Sequence, residues 1–278
     1  MRLIAKSSCI AMILVFLAVP TFAANDQPVK VEAEGTILLG DDSTMGQAKA
    51  AALNNARRAA LEKATGVEVH GSSMVYNYQL INDLVHTATR GIIVKENLIR
   101  NSCTTKDEQL SCSAKIEAWV KPLHAEKRGN FKIISAGVHR PDRQEEVKNP
   151  VFQNGDEIHI HAAANHDAWI SMFSVDQFGG ISKLYPNDYI KQEKIPAGKE
   201  AVFPDDPCRQ SGLKLKVRTP RGMKKAVESV LVIATKEKAA LLESRKNQDL
   251  TITDLMKELS EMDLSQWVEH TVGYEVTE

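Results

Sequence analysis

Residues 168–187 read AWISMFSVDQFGGISKLYPN, and their spacing decides how the chain is built. Trp169, Ser171, Phe173 and Val175 fall on one side, Ile170, Met172 and Ser174 on the other. That period of two, rich in aromatic and branched side chains, marks a strand. Asp176-Gln177-Phe178-Gly179-Gly180 supplies turn residues, two of them glycines free to take positive φ. Ile181 to Tyr185 resumes the apolar pattern, and Pro186-Asn187 ends it, because proline has no N–H for a ladder. The stretch predicts a β-hairpin inside a β-rich C-terminal half.

Outward from the hairpin, strands are predicted over 131–139, 157–163, 213–217, 229–234 and 270–276, with a charged loop over 140–149. Helices are predicted over 236–246 and 253–262. Leu255, Leu259, Met262 and Trp267 can dock this tail on its own domain or on a partner. The pattern is that of a mainly antiparallel sandwich or rolled sheet.

Upstream, Val29, Val31 and Ala33 alternate in a first strand. Thr44 with Gln47 fits a capping box, and the helix it opens runs to Thr65 before Gly66. Ala52, Ala56, Ala59 and Ala60 share a face of that helix, and small residues there let it lie close on a sheet. Arg57, Arg58, Glu62 and Lys63 read as its solvated side. A second helix over 74–89, a strand over 92–100 after Gly91, a polar loop over 101–109 and a strand over 110–120 complete the module. The expected fold class is therefore α+β. Residues 24–122 form a small α/β domain (strand, two helices, hairpin), 123–130 a linker, and 131–278 a β-rich domain with a helical tail.

Arg2, Lys6, the apolar run Ile10 to Val19 and Pro20-Thr21-Phe22-Ala23 have the form of a secretory signal peptide over 1–23. The expected location is periplasmic or secreted. Cys9 precedes the end of the apolar run, whereas a lipid-accepting cysteine follows it, so no lipid anchor is expected. Without Arg2 and Lys6, 33 basic residues face 36 acidic ones, a balance with no long-range pull on nucleic acid. No later stretch has the roughly 20 apolar residues of a transmembrane helix. In an oxidising compartment Cys103 and Cys112, near the facing ends of the predicted hairpin, are expected to form a disulfide. Cys208 is then left over.

Two resemblances follow from these residues. The hairpin, Leu184-Tyr185-Pro186-Asn187, Ile195-Pro196-Ala197-Gly198 and the Pro220-Arg221-Gly222 segment ahead of strand 230–234 resemble the family called domain of unknown function 4384, over roughly Phe152 to Glu237. This implies a fold and carries no catalytic residue. Glu34-Gly35, the helix end Ala64-Thr65-Gly66-Val67-Glu68-Val69, Gly91 and the alternating strand over 114–120 are similar to the N-terminal domain of the flagellar assembly protein T family and the lipoprotein-20 group. That likeness spans Val29 to Lys121 and implies an α/β domain of the bacterial envelope, sometimes serving the flagellar basal body. The middle and C-terminal domains of the flagellar protein are not evident in the sequence.

Candidate chemistry is sparse. His159 and His161 are two apart on a predicted strand and share a face, so Asp167 or His166 could complete a metal site. The competing reading has Ile158, Ile160 and Ala162 facing the core and the histidines facing water. There is no Gly-x-Ser-x-Gly elbow and no phosphate loop ending Gly-Lys-Ser/Thr. Asp205 and Asp206 are adjacent rather than set across a cleft. Phe178, at the turn, is the candidate partner contact. These features point to a non-catalytic scaffold or interaction module of the cell envelope, with a protein partner and no cofactor. The alternative is a metal- or small-ligand-binding protein using the His159/His161 face, and third comes an envelope hydrolase.

Overall fold

A computed structural model describes residues 27–38, 45–66, 91–106, 109–122, 129–142, 150–176, 180–220, 223–243 and 250–278. The expected signal segment 1–23, Thr44, the expected helix over 74–89, most of the expected linker and Phe178 lie outside them.

The N-terminal sheet orders its antiparallel strands β1 (Val29–Leu38), β3 (Gln109–Pro122) and β2 (Gly91–Lys106) as β1-β3-β2, with α1 (Met45–Thr65) across one face. Alternation in β3 buries Cys112, Ala114, Ile116, Ala118 and Val120 completely. They meet Ala48, Ala52, Ala56 and Ala60 of the helix. The approach is close enough that a Cβ on Gly35 of β1 would lie 2.1 Å from the Ala56 nitrogen and 2.4 Å from the Ala52 oxygen. Glycine stands there because helix backbone occupies the space of a side chain.

The other face of this sheet is a lattice of charge. Lys115 pairs with Glu32 at 2.8 Å and Arg100 with Glu34 at 2.6 Å, Lys30 pairs with Glu117, and Lys30 and Lys95 both lie over the Trp119 ring. Polar pairing of this kind keeps an open sheet face in water. At the edge, Asn55 donates to the Thr36 carbonyl and Lys63 to that of Glu32.

Two expectations change here. Arg57 is no solvated residue: its guanidinium grips both Glu96 oxygens, half-buried, because β2 passes beside the helix. The polar loop over 101–109 is also shorter, since β2 runs to Lys106 and β3 begins at Gln109. Backbone pairing does not need apolar side chains, and Cys103 stands directly opposite Cys112 in register, joined by a disulfide.

The C-terminal part packs two sheets. The smaller orders β10 (Ala201–Phe203), β6 (His159–Ala164) and β4 (Ile133–His139). The larger runs β5 (Val151–Gln153), β12 (Trp267–Thr277), β11 (Lys225–Thr235), β7 (Ala168–Val175) and β8 (Ile181–Tyr185), with β9 (Lys194–Ile195) paired to β7. The predicted hairpin is present as β7 and β8. Asp176 closes its turn by accepting the Gly180 N–H at 2.9 Å.

Period-two patterning divides the larger sheet between two cores. Ile170, Met172, Val230, Val232, Ala234 and Val276 face Ile160, Ala162 and Phe203 inside the sandwich. Phe173, Val175, Leu231 and Ile233 face the opposite way, where α3 (Ile252–Leu259) covers them with Ile252, Leu255, Met256 and Leu259. Thr251 and Asp254 cap that helix reciprocally. Ile252 and Met256 also meet Leu61, Ile92 and Ile93 around a small gap, so one core joins α3 to the N-terminal sheet. Trp267, fully buried there, has the kind of position where truncation to alanine costs about 3–5 kcal/mol.

The tail thus packs on its own chain. His270 to Val276, expected as a short final strand, lies within the 11-residue β12, between β5 and β11. The helix expected over 236–246 is absent from 236–243. Leu242 there takes φ 60°, Lys183 Nζ holds the Leu241 carbonyl at 3.0 Å, and Glu258 accepts the Leu242 N–H at 2.7 Å. These tertiary ties, with Leu241 and Leu242 buried, outweigh local helix propensity. The strand expected over 213–217 reduces to a bridge between Glu157 and Lys216.

Candidate functional site

Glu157, His159 and His161 alternate onto one face of the β6 segment, and Ile158, Ile160 and Ala162 onto the other, in the core. The histidines do not face water, however: His159 is 7 % exposed and His161 6 %. His139, opposite His159 on β4, adds a third ring, its centroid 5.7 Å from that of His159 and 5.2 Å from that of His161. The His161 ring lies against Gly137, where a Cβ would come within 2.4 Å of it. A glycine on β4 therefore makes room for a layer of imidazoles that β6 alone does not reveal.

The short helix α2 (Asp206–Gln210) sends a side chain to this face. Arg209 donates to Glu157 Oε1 at 3.1 Å, and Lys214 holds Oε2 at the same distance. The hydrogen bond from Lys214, and after it that from Arg209, keep the Glu157 carboxyl below its ordinary value against the opposing effect of burial. Burial, then the charge of Arg209 and then His139, push the His159 imidazole down. Nε2 of His159 is buried and has no hydrogen-bond partner among the described residues.

Asp167 is not brought to this layer. It accepts the Ala197 N–H at 3.0 Å and sits 3.8 Å from Lys194. His166 turns to Asn165 and stacks edge-on to Phe131. Among the described residues no three His, Cys, Asp or Glu side chains converge to hold a metal ion. Asp205 and Asp206 serve the helix, the first capping it through the Cys208 N–H and the second pairing with Arg209. The Cys208 thiol is pushed up by burial and by Asp205.

A second feature had no reading in the sequence. After β8 the chain forms a compact loop in which Asn187 accepts the N–H groups of Tyr189 at 2.9 Å and Ile190 at 3.0 Å and donates to the Leu184 carbonyl at 2.9 Å. Gln192, buried, anchors the far end on Ile170 and Ser171. From this pinned loop Tyr189 projects with 90 % of its surface exposed. Two clefts flank it, one of about 580 Å³ between the loop and residues 238–243, the other of about 530 Å³ toward Pro207, Cys208 and Leu213. Ile190 lines both. The available signal was Asn187-Asp188 after Pro186, a turn-former run ahead of a tyrosine.

The fold and these surfaces define a β-sandwich module coupled through a helix to a smaller α-on-sheet unit. Residues 151–238 match a family model, the domain of unknown function DUF4384. The match spans β5 to β11 and leaves out β4 and β12, which complete the two sheets. It does not extend to the N-terminal segment, so the likeness to the flagellar assembly protein T group gains no support from it. No curated protein matches the chain.

Proposed function

We propose that this chain is a non-catalytic interaction module of the bacterial cell envelope, acting by contact with a protein partner through the Pro186–Gln192 loop. The observation that carries the reading is Tyr189, a large aromatic side chain 90 % exposed on a loop whose backbone its neighbours hold. An anchor already ordered loses little conformational entropy on binding, and tyrosine is among the residues that dominate interface energetics. Clefts on both sides give a partner apolar surface at Ile190 to cover. The secretory leader and the N-terminal resemblance support an envelope machine such as the flagellar basal body as the setting.

The test places a photo-crosslinking amino acid at position 189, and separately at the exposed Lys199, in living cells. A discrete adduct from position 189 that is absent from position 199, and that is lost when Ile190→Asp is added, supports the reading. Equal or absent adducts at both positions, with the protein folded and exported, refute it.

A further inference from the structure

The imidazole layer of the smaller sheet is the feature that neither the fold nor the contact surface uses. Three rings from two adjacent strands stack within 5.2–5.7 Å, two of them almost fully buried. Among the described residues no three metal-ligating side chains converge to hold an ion there. Beside His159 on that face lies α2, and the side chain that ties it down is Arg209, bonded to Glu157 two residues before His159. We propose that this layer and the Glu157–Arg209 pair form an acid-operated latch: α2 stays down while His159 is neutral and lifts when it takes up a proton.

The charges around His159 give the device its sense. From β4 it meets His139, whose neighbour Arg140 is committed to Asp156. From its own segment it meets Glu157 and His161, from α2 Arg209 and Asp206, and Lys214 follows on Glu157. Strand β10, Ala201–Phe203, brings no titratable side chain. A proton on His159 puts a cation beside Arg209 in a site nearly closed to water. Asp206, 3.6 Å from Arg209, gives some relief, and the larger relief nearby is the Glu157 carboxylate, which Arg209 already holds. Imidazolium competes for that carboxylate, and Arg209, the tie on α2, is displaced. Burial disfavours the charged ring in the closed form and not in the open one, so opening is linked to proton uptake below the ordinary imidazole value of 6.5. The smaller sheet's histidine face becomes accessible, and Cys208, half-buried in the closed form, loses its remaining cover.

Cys208 sits on α2 and reports the motion. The full-length protein is labelled with 4,4′-dithiodipyridine from pH 7.5 to 4.5, modification at Cys208 is read by peptide mass spectrometry, and each rate is divided by that of a cysteine peptide at the same pH. The normalised rate starts from that of a half-buried thiol and is expected to rise as pH falls below 6.5, by at most about tenfold per pH unit, until the closed form itself protonates, and His159→Gln is expected to abolish the rise. A flat normalised rate in the wild type overturns the latch, as does an undiminished rise in the variant. Should His159→Gln fail to fold, the His159 ring signal is followed by NMR in the wild type. A titration that coincides with the labelling rise supports the proposal, and a ring that stays neutral through it overturns it.

Discussion

Replacing Gly35 by alanine would set a methyl carbon 2.1 Å from the Ala56 nitrogen, 2.4 Å from the Ala52 oxygen and 2.5 Å from the Asn55 carbonyl carbon. Ordinary contact begins near 3.4 Å, so α1 must lift from β1 by about 1.3 Å. The lift also loosens Ala52, Ala56 and Ala60 from the sheet, and all three are fully buried. Overpacking costs about 1–3 kcal/mol, and adding the lost contacts places Gly35→Ala near the top of that range, about 3 kcal/mol. For a chain of this size that is a fall in Tm of roughly 6–12 °C. Urea titration followed by circular dichroism, with calorimetry for Tm, measures it. A variant within about 0.5 kcal/mol of wild type would refute the argument. Because the clashing atoms are backbone, Ala56→Gly in the same chain should restore nothing, and full rescue would show that the contact had been misread.

Two further outcomes follow from buried groups. Burial pushes the Glu228 carboxyl above its ordinary 4.5, opposed by the Tyr274 hydroxyl that donates to it at 2.7 Å. The folded form then keeps a proton that the unfolded form has released. This contribution is complete below pH 4.5 and is lost as pH rises through the folded value. Glu228→Gln should therefore raise the urea midpoint at pH 7, with the gain shrinking toward pH 4.5; a gain that does not change with pH would sink the idea. The Cys103–Cys112 bridge spans a sequence separation of 9, for which chain entropy predicts about 2–3 kcal/mol. Reductant, or the paired change to serine, should lower the urea midpoint by a matching amount, and an unmoved midpoint would show that the hairpin holds its register without the bond.

The elements most legible in the sequence were those whose partner lies close along the chain. The β7–β8 hairpin, the cross-strand cysteines and the alanine face of α1 each express one local period or pairing, and the structure places all three as expected. The failures share a cause. Residues 236–243 carry helix-forming side chains, yet Lys183 and Glu258, distant in sequence, hold Leu241 and Leu242 in an irregular path. Arg57 has the spacing of a solvated residue, and only the passage of Glu96 beside it makes it half-buried. In the candidate sites the shared face of His159 and His161 was readable. Their burial was not, because His139 and Arg209 arrive from separate elements.

By itself the sequence determined a near-neutral charge balance, strand and helix periods, and which side chains share a face. Those properties depend on neighbours a few residues apart, where the geometry of the backbone is the same in every fold. Only the tertiary structure decided what lies over each face. It set β12 between β5 and β11, laid α3 between the larger sheet and the N-terminal unit, brought Arg209 of α2 to Glu157 beside the imidazoles, and left Tyr189 uncovered. Each of these depends on contacts between residues far apart in the chain, and such contacts are selected by the packing of the whole core rather than by any one stretch.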